Sequence, residues 1–474
     1  MLNFLRKIEK FYKVLIVLID LAIINIAYIL AFIIVFNWIS PQNNGDIVEI
    51  FIWNIPAFNF EAYTTAFPFI TISALIYFDI YGLLKFFRKT LYDVISSIFF
   101  IVLLLGITTM AITFFMREFS FPRSVLLITP VIQFILLATW KTTILYGRKH
   151  IIDEKRIMII GSLEETNLVI DKMKSTLFNT KRTIKHVFNV SESEKILKKL
   201  NNVDEVFICP KATAEQKKEI LSRCIGSKKI VYIIPQLFEI SLLKSKMVQF
   251  EDIPAYMIDK LELTIEQKFL KRVFDIVVSI FFIIILLPVM VLIGIIVKST
   301  SKGPIIFVQD RVTYNGKTFK IYKFRTMYKD VEQKTGPVIS GKDDPRVTSL
   351  GKILRKTRLD ETPQFFNVLK GEMSIVGPRS ERPHFVEKFS RDIPDYNNRS
   401  SVKAGITGYA QILGNYDTSP EDKLRYDLIY IKNYSLLLDM KLIFQTIQVV
   451  FTGKNISNKT FKRNISDFKK AANS

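Results

Sequence analysis

Four long apolar runs dominate the first third of the chain, at residues 14–36, 66–84, 94–116 and 125–146. About 20 apolar residues in a helix cross the hydrocarbon core of a bilayer, so each run can span a membrane. The first run is too long for the apolar part of a signal peptide, and no small-residue cleavage site follows it. The pattern therefore predicts a four-helix transmembrane domain over residues 1–150.

The charges between these runs predict their orientation. The loop at residues 39–65 carries acidic residues but no Lys or Arg, whereas basic residues cluster between the second and third runs and at the exit of the fourth, Lys141 included. Because cytoplasmic loops carry the excess of Lys and Arg, both ends of this domain are predicted to lie in the cytoplasm. Asp20 falls within the first run, where an acid can have a functional role or can form hydrogen bonds inside the bundle.

From residue 155 the pattern changes to short apolar strands near 156–160, 186–190, 203–209 and 230–234, which alternate with charged helical stretches. This alternation predicts a parallel sheet and an α/β, Rossmann-like domain over residues 151–240, followed by a linker at 241–267. Gly161 follows the first strand, but the second and third glycines of the dinucleotide fingerprint are missing, and Leu163 would obstruct a pyrophosphate. We therefore expect a degenerate module that serves assembly, regulation or spacing.

Residues 350–383 carry the candidate chemistry. Asp360 and Glu361 follow a basic run that includes Arg355, Lys356 and Arg358. An Asp followed by Thr and Pro is also a common helix start, so Asp360 as an N-cap is the alternative. A helix N-terminus and basic neighbours would keep a carboxylate ionised, able to act as a nucleophile or to hold a metal.

The same field attracts phosphate, and the sequence supplies an Arg to bind it. Gly377-Pro378-Arg379 follows a short apolar strand, and an Arg in a tight turn can bind phosphate through two parallel hydrogen bonds. An ordinary surface turn is the alternative. Together the acid pair and the turn indicate an active site.

Four short motifs occur in order along the last 200 or so residues: Lys271-Arg272 with Phe274-Asp275, Lys323-Phe324-Arg325-Thr326-Met327, Leu359-Asp360-Glu361, and Gly377-Pro378-Arg379. They resemble the bacterial sugar transferase family, the polyprenyl-phosphate hexose-1-phosphate or monotopic phosphoglycosyl transferases. The whole layout is similar to that of the large members. The resemblance implies a mainly α-helical catalytic domain at 268–453 and a basic tail at 454–474.

That resemblance also implies an activity. A sugar-1-phosphate would pass from a UDP-sugar to undecaprenyl phosphate, the initiating step of capsule, exopolysaccharide or O-antigen assembly. The protein would lie in the bacterial cytoplasmic membrane with its catalytic domain facing the cytoplasm. The lipid bilayer is then a partner, and a second copy of the chain is a candidate partner.

The resemblance assigns roles to individual residues as well. Asp360 would be the catalytic nucleophile that forms a phosphosugar-aspartyl intermediate and releases UMP, with Mg²⁺ held at Asp360. Glu361 would be the second catalytic residue and would assist the acceptor or the metal. The expected substrate-binding residues are Lys323, Arg325, Arg355, Pro378 and Arg379. Ser380 stands where the family usually has Pro, and Leu287 stands where a Ser usually precedes Pro288. Because every motif lies after Leu270, we expect a fragment from about Ile265 to retain activity.

A fifth apolar run covers residues 274–297, with Asp275 near its start and Pro288 in the middle. A fifth crossing would export everything after it, which conflicts with a cytoplasmic nucleotide substrate. Proline interrupts the helical hydrogen-bond ladder and permits a bend. We therefore predict a re-entrant helix that enters and leaves on one face. Arg272 and Asp275 lie on one side of a helical turn and are expected to pair at the interface, with two ordinary juxtamembrane charges as the alternative.

Composition narrows the alternatives. The chain is 49% hydrophobic yet carries a net charge of +22, a combination typical of a membrane protein that faces anionic lipid. Nucleic acid is not an expected partner, because the basic residues are spread among apolar runs without a zinc-ligand or RNA-binding signature. With two Cys and three His, catalysis is expected to rest on carboxylates, metal and basic side chains. A membrane glycosyltransferase and a non-catalytic export scaffold remain the other readings.

Overall fold

The computed structural model describes residues 2–39, 55–89, 91–151, 155–179, 182–227, 229–258, 260–300, 303–328, 344–414 and 418–452. The basic tail expected at 454–474 lies outside these residues. The chain forms two compact units: residues 1–154 with 178–181, and residues 155–177 with 182–474.

The first unit is helical, as its apolar runs predict. Its helices are α1 (Leu2–Ile34), α2 (Ala57–Ile80), α3 (Leu91–Phe115) and α4 (Arg123–Ile151). Across the described residues, five helices are long and apolar enough to cross a membrane, and four of them lie in this unit.

A buried ion pair joins the first and last of these helices. Lys141 Nζ lies 2.6 Å from a carboxylate oxygen of Asp20, and both side chains are almost fully buried. Charges inside an apolar bundle are costly unless paired, which explains the contact. Of the two roles left open for Asp20, the structure shows bonding within the bundle. The inclusion of Lys141 among the charges that orient the bundle is wrong, because its side chain is buried inside the bundle.

The second unit begins with a parallel sheet, which confirms that prediction. Its strands are β1 (Lys155–Ile160), β2 (Arg182–Phe188), β3 (Glu205–Ile208) and β4 (Ile230–Ile233), in the order β2-β1-β3-β4. The alternating helices are α5 (Leu163–Asn179), α6 (Ser193–Lys199) and α7 (Ala214–Gly226). The second strand begins four residues earlier than its apolar pattern indicates, since 182–185 are mostly polar.

The loop after β1 is filled by the protein's own groups. The Glu165 carboxylate accepts hydrogen bonds from the backbone N–H of Ser162 at 3.1 Å and of Lys211 at 2.9 Å. Those are the kind of donors that a phosphate would use. A Cβ at Gly161 would lie 2.6 Å from the Cys209 Cβ, so this glycine permits close packing of β1 on β3. Both features favour a degenerate nucleotide fold.

The residues expected to form a linker contain regular structure. Helix α8 (Leu237–Ser241) precedes an antiparallel hairpin of β5 (Lys246–Phe250) and β6 (Ile253–Met257). Ile240 and Leu263 are 1% and 7% exposed and belong to the same apolar core as residues of the C-terminal segment. The core of that segment therefore begins upstream of residue 268.

The C-terminal segment combines a long apolar helix with short strands and helices. Its helices are α9 (Ile265–Thr300), α10 (Ser349–Thr357), α11 (Gln364–Lys370), α12 (Pro383–Asp392), α13 (Tyr409–Leu413), α14 (Pro420–Lys432) and α15 (Leu436–Thr452). Strands β7 (Ile306–Val312) and β8 (Thr318–Phe324) form an antiparallel hairpin, and β9 (Ser374–Val376) pairs in parallel with β10 (Gly405–Thr407).

Helix α9 packs on this segment along one side. Its buried residues follow a stripe at helical spacing, from Lys271 and Asp275 to Ile293 and Val297. Lys271 forms a buried ion pair with Asp439 at 2.5 Å. The opposite side exposes large apolar residues, among them Val277, Phe281, Ile284, Val291, Leu292 and Ile295. The helix is continuous through Pro288.

The expected pairing of Arg272 with Asp275 is wrong. Arg272 donates to the carbonyl oxygens of Val368 and Leu369 at 2.6 and 2.8 Å, at the end of α11. Asp275 accepts from the backbone N–H of Ile375 at 3.0 Å. Arg272 thus bonds to carbonyl oxygens at a helix end, and Asp275 provides the acceptor for the Ile375 N–H, so the two charges are engaged by different elements.

Candidate active site

The acid pair lies on a tight turn between two helices. Leu359–Glu361 form a single 3₁₀ turn after α10, and Asp360 and Glu361 are 8% and 9% exposed. Helix α11 begins only at Gln364, and its N-cap residue, Pro363, makes no side-chain capping bond. The alternative that Asp360 is an N-cap is therefore wrong.

Two cations converge on Glu361. Lys323 Nζ lies 2.8 Å and Arg379 Nη2 lies 3.1 Å from its Oε1. Burial alone would raise the pKa of Glu361, but the charges of Lys323 and Arg379 outweigh it and hold that pKa well below its usual range. Glu361 is therefore ionised and engaged by both partners.

Asn367 explains why Lys323 reaches this position. It is fully buried on α11, where its side chain accepts from the backbone N–H of Tyr322 at 3.0 Å and donates to the Lys320 carbonyl oxygen at 2.8 Å. One amide thus holds the C-terminal end of strand β8 against α11. Lys323, the next residue of that strand, is thereby placed beside Glu361.

Asp360 differs from its neighbour. Its carboxylate makes no hydrogen bond with any of the residues the structure describes. Burial and the charge of Glu361 raise the pKa of Asp360 to about 6, although Lys323, Arg355 and Arg379 act in the opposite direction. At neutral pH it is therefore a mostly ionised carboxylate with uncommitted lone pairs. Arg355, expected here, donates to the Thr326 hydroxyl at 2.9 Å and acts on Asp360 through its charge.

The Gly-Pro-Arg turn is built by close backbone packing. A Cβ at Gly377 would collide with the Lys403 carbonyl oxygen, so only glycine fits there. The Pro378 carbonyl oxygen accepts from the Gly405 N–H at 2.8 Å. Arg399 donates to the carbonyl oxygen of Arg379 at 3.0 Å.

Arg399 is itself held by a buried ion pair. Its guanidinium lies 2.8 Å from the carboxylate of Asp427 and donates to the Tyr396 hydroxyl at 2.6 Å. The forked guanidinium therefore ties α14 to the backbone of the turn. This contact fixes the direction from which Arg379 approaches Glu361.

Three predicted site residues lie at the attachments of α9. Arg325 donates to the carbonyl oxygens of Val297 and Pro304, at 3.3 and 2.6 Å, and so holds the C-terminal end of the helix. Arg272 and Asp275 hold its other end. The structure thus brings Lys323, Glu361 and Arg379 together but gives Arg325 partners elsewhere.

Two further arginines lie within electrostatic reach of the acid pair. Arg358 acts on Asp360 and Glu361, and Arg311 acts on Glu361 and Arg379. Arg311 donates to the Ser380 carbonyl oxygen at 3.0 Å, and burial lowers its pKa to about 10. The sequence shows Arg358 as part of the basic run. Arg311 belongs to no motif, so no signal in the sequence indicates that it lies near the acid pair.

The acid pair offers two adjacent carboxylates to a metal ion. No group of three or more His, Cys, Asp or Glu side chains converges among the described residues. Mg²⁺ in phosphoryl-transfer sites is usually held by one or two carboxylates together with substrate phosphates and water. Asp360 with Glu361 fits that kind of site.

The C-terminal part of the chain matches a known protein family. The family model described as "Bacterial sugar transferase" matches residues 266–453. A UDP-N-acetylgalactosamine-undecaprenyl-phosphate N-acetylgalactosaminephosphotransferase of Aeromonas hydrophila is 39% identical over 243 residues, 51% of this chain and 56% of that protein. A UDP-glucose:undecaprenyl-phosphate glucose-1-phosphate transferase of Klebsiella pneumoniae is 39% identical over 260 residues, 53% of this chain and 56% of that protein.

A shorter relative is covered almost completely. The exopolysaccharide production protein PSS of Rhizobium leguminosarum bv. phaseoli is 37% identical over 189 residues, which are 38% of this chain and 93% of that protein. The chain spans little more than half the length of the two longer relatives.

Proposed function

The chain belongs to the bacterial sugar transferase family, and we propose that it transfers a sugar-1-phosphate from a UDP-sugar to undecaprenyl phosphate in the bacterial cytoplasmic membrane. One observation carries the proposal. Of two adjacent buried acids, Glu361 is occupied by two cations, whereas Asp360 has no hydrogen-bond partner among the described residues and a raised pKa. Such an arrangement separates an electrostatic role from a nucleophilic one.

The first step would use Asp360. Its carboxylate oxygen attacks the phosphorus next to the sugar and forms a new phosphorus–oxygen bond. The bond from that phosphorus to the bridging oxygen breaks, and UMP leaves with the electron pair. A pKa of about 6 keeps Asp360 mostly ionised at neutral pH but more basic than an exposed Asp, which favours attack.

The second step would transfer the phosphosugar to lipid. A phosphate oxygen of undecaprenyl phosphate attacks the same phosphorus, the bond to Asp360 breaks, and the carboxylate is restored. Lys323 and Arg379, held in place by Glu361, would stabilise the negative charge that accumulates on the phosphoryl oxygens in both steps.

Magnesium would assist the same chemistry. Asp360, with Glu361 beside it, would hold Mg²⁺, which when bound supplies positive charge that shields the diphosphate. The described residues offer two carboxylates here, so the substrate phosphates would complete the coordination.

The packing of α9 supports a re-entrant placement. Its buried side faces the C-terminal segment from Lys271 to Val297, and both ends are bonded to that segment. A helix that crossed the bilayer would carry part of this polar segment through the membrane. We therefore propose that α9 enters and leaves on one face, with its exposed apolar side in lipid.

The released nucleotide tests the proposal. The full chain in detergent is incubated with Mg²⁺, undecaprenyl phosphate and a panel of UDP-sugars that includes UDP-glucose and UDP-N-acetylgalactosamine. UMP release is expected with at least one of them. Release of UDP would indicate glycosyl transfer without phosphate, and no nucleotide release with any sugar would indicate a scaffold.

A further inference from the structure

Arg358 has an unusual backbone conformation for its residue type. It ends α10 with φ 55° and ψ 18°, in the left-handed region. Glycine is the common residue at this position of a helix end, and asparagine is the next best, because other side chains crowd the backbone there. Residues held in this way by the surrounding structure cluster at functional sites. A long cationic side chain therefore occupies a position where a helix end alone favours glycine.

The cations around the acid pair differ in how many donors they have committed. Lys323 and Arg379 donate to Glu361, and Arg311 donates to the Ser380 carbonyl oxygen and to Gln309. Arg355 donates to the Thr326 hydroxyl. Each of them thus has a partner within the protein.

Arg358 makes no side-chain hydrogen bond or ion pair with any residue that the structure describes. It is nevertheless partly buried and lies within electrostatic reach of Glu361, Arg379 and Asp360. A guanidinium has five N–H donors in a planar fork that matches phosphate geometry. These donors are available beside the carboxylate that is proposed to attack phosphorus.

We propose that Arg358 is a phosphate-binding residue of this site, which binds a phosphate group of a substrate as that group approaches Asp360. The inference rests on the proposed function. Two buried carboxylates oppose the entry of an anion, and Lys323 and Arg379 are already engaged by one of them. An uncommitted cation offsets that repulsion.

Two substrates carry the required group: the UDP-sugar, through its diphosphate, and the lipid acceptor, through its phosphate. The experiment therefore has two arms on the full chain in detergent. The first is the Kd of UDP in the presence of Mg²⁺, measured by titration calorimetry. The second is the KM for undecaprenyl phosphate in the UMP-release assay.

The variants separate charge from backbone. Arg358→Asn and Arg358→Gly both tolerate φ 55° but lack the guanidinium, and Arg358→Lys keeps a charge without the fork. Lys356→Gln, an exposed position on α10, removes one charge two residues away and is the matched control. Arg358→Gly should leave the melting temperature unchanged or raise it, so that a binding defect is separated from unfolding.

The Asn and Gly variants are expected to weaken one arm by roughly tenfold to a hundredfold, the loss of a charge-assisted bond. The Lys variant should fall between, and the control should stay within about twofold of wild type. A change in the UDP arm identifies the nucleotide phosphate, and a change in the acceptor arm identifies the lipid phosphate. Unchanged values in both arms would overturn the inference alone. A wild type that neither binds UDP nor releases UMP would overturn the proposed function and the inference with it.

Discussion

The positions of the motifs alone predict that a fragment from about Ile265 is active. The packing of the core leads us to expect instead that this fragment is unstable, although it contains every residue named at the site. It lacks Ile240 and Leu263, which are 1% and 7% exposed in the core of the C-terminal segment, and the partly buried Leu237 and Leu261. Full burial of an Ile or Leu side chain contributes about 1.5–3 kcal/mol. Loss of the two buried residues therefore costs about 3–6 kcal/mol, against a total of about 5–15 kcal/mol for a typical domain.

Thermal unfolding of two fragments measures this cost. One fragment starts at Ile265, and the other starts at Pro235 and keeps α8 and the hairpin. The shorter one should melt roughly 6–24 °C lower, since 1 kcal/mol shifts the midpoint of a domain of this size by roughly 2–4 °C. Its UMP release should fall in step with its folded fraction.

A matched pair of substitutions in the full chain isolates the packing term. Ile240→Ala should destabilise the protein by about 2–5 kcal/mol. Phe238→Ala, on the same helix but 58% exposed, should have little effect. Equal melting temperatures and equal UMP release for the two fragments would refute the reasoning.

Three further predictions concern the site and the membrane. At limiting Mg²⁺, kcat/KM for the UDP-sugar should fall about tenfold from pH 7 to pH 5, because Asp360, with a pKa of about 6, loses its charge. A higher Mg²⁺ concentration should move this fall to lower pH, and a kcat/KM that does not change with pH would contradict the prediction. In a cysteine-free background, Val273→Cys and Ser299→Cys should react with an impermeant reagent from the same side, and labelling from opposite sides would show a crossing. Arg399→Lys should lower kcat/KM about tenfold with little change in melting temperature and add nothing to Arg379→Ala, whereas additive losses would show that it acts independently.

The sequence predicted the helices and strands whose hydrophobic pattern and length can be seen within one stretch of the chain. The long apolar runs became helices, and the alternation after residue 155 became a parallel sheet, because each pattern is compatible with few other structures. The grouping of Lys323, Glu361 and Arg379 was also predictable, since their motifs were recognisable in order. The helices and the sheet each needed only the residues of one segment, and the grouping of the three side chains needed three motifs in their order.

Other features depend on which surfaces meet in three dimensions. Lys141 looked like a charge at the end of a span until α1 placed Asp20 against it. Arg325 belongs to a recognisable motif, but its bonds go to carbonyl oxygens at the end of α9, whose position no local pattern gives. The left-handed backbone conformation of Arg358 could not be predicted either, because no neighbouring residue in the sequence requires it.

The nucleophilic role of Asp360 is tested most directly without the lipid acceptor. Purified full-length wild type and Asp360→Asn are mixed with Mg²⁺ and the UDP-sugar identified by the panel, and released UMP is counted per protein molecule. Because the first step needs no acceptor, wild type should release a burst approaching one UMP per molecule and gain the mass of one phosphosugar. Asp360→Asn should keep its melting temperature and release none. A burst of UMP from Asp360→Asn, or no wild-type burst until undecaprenyl phosphate is added, would contradict the account.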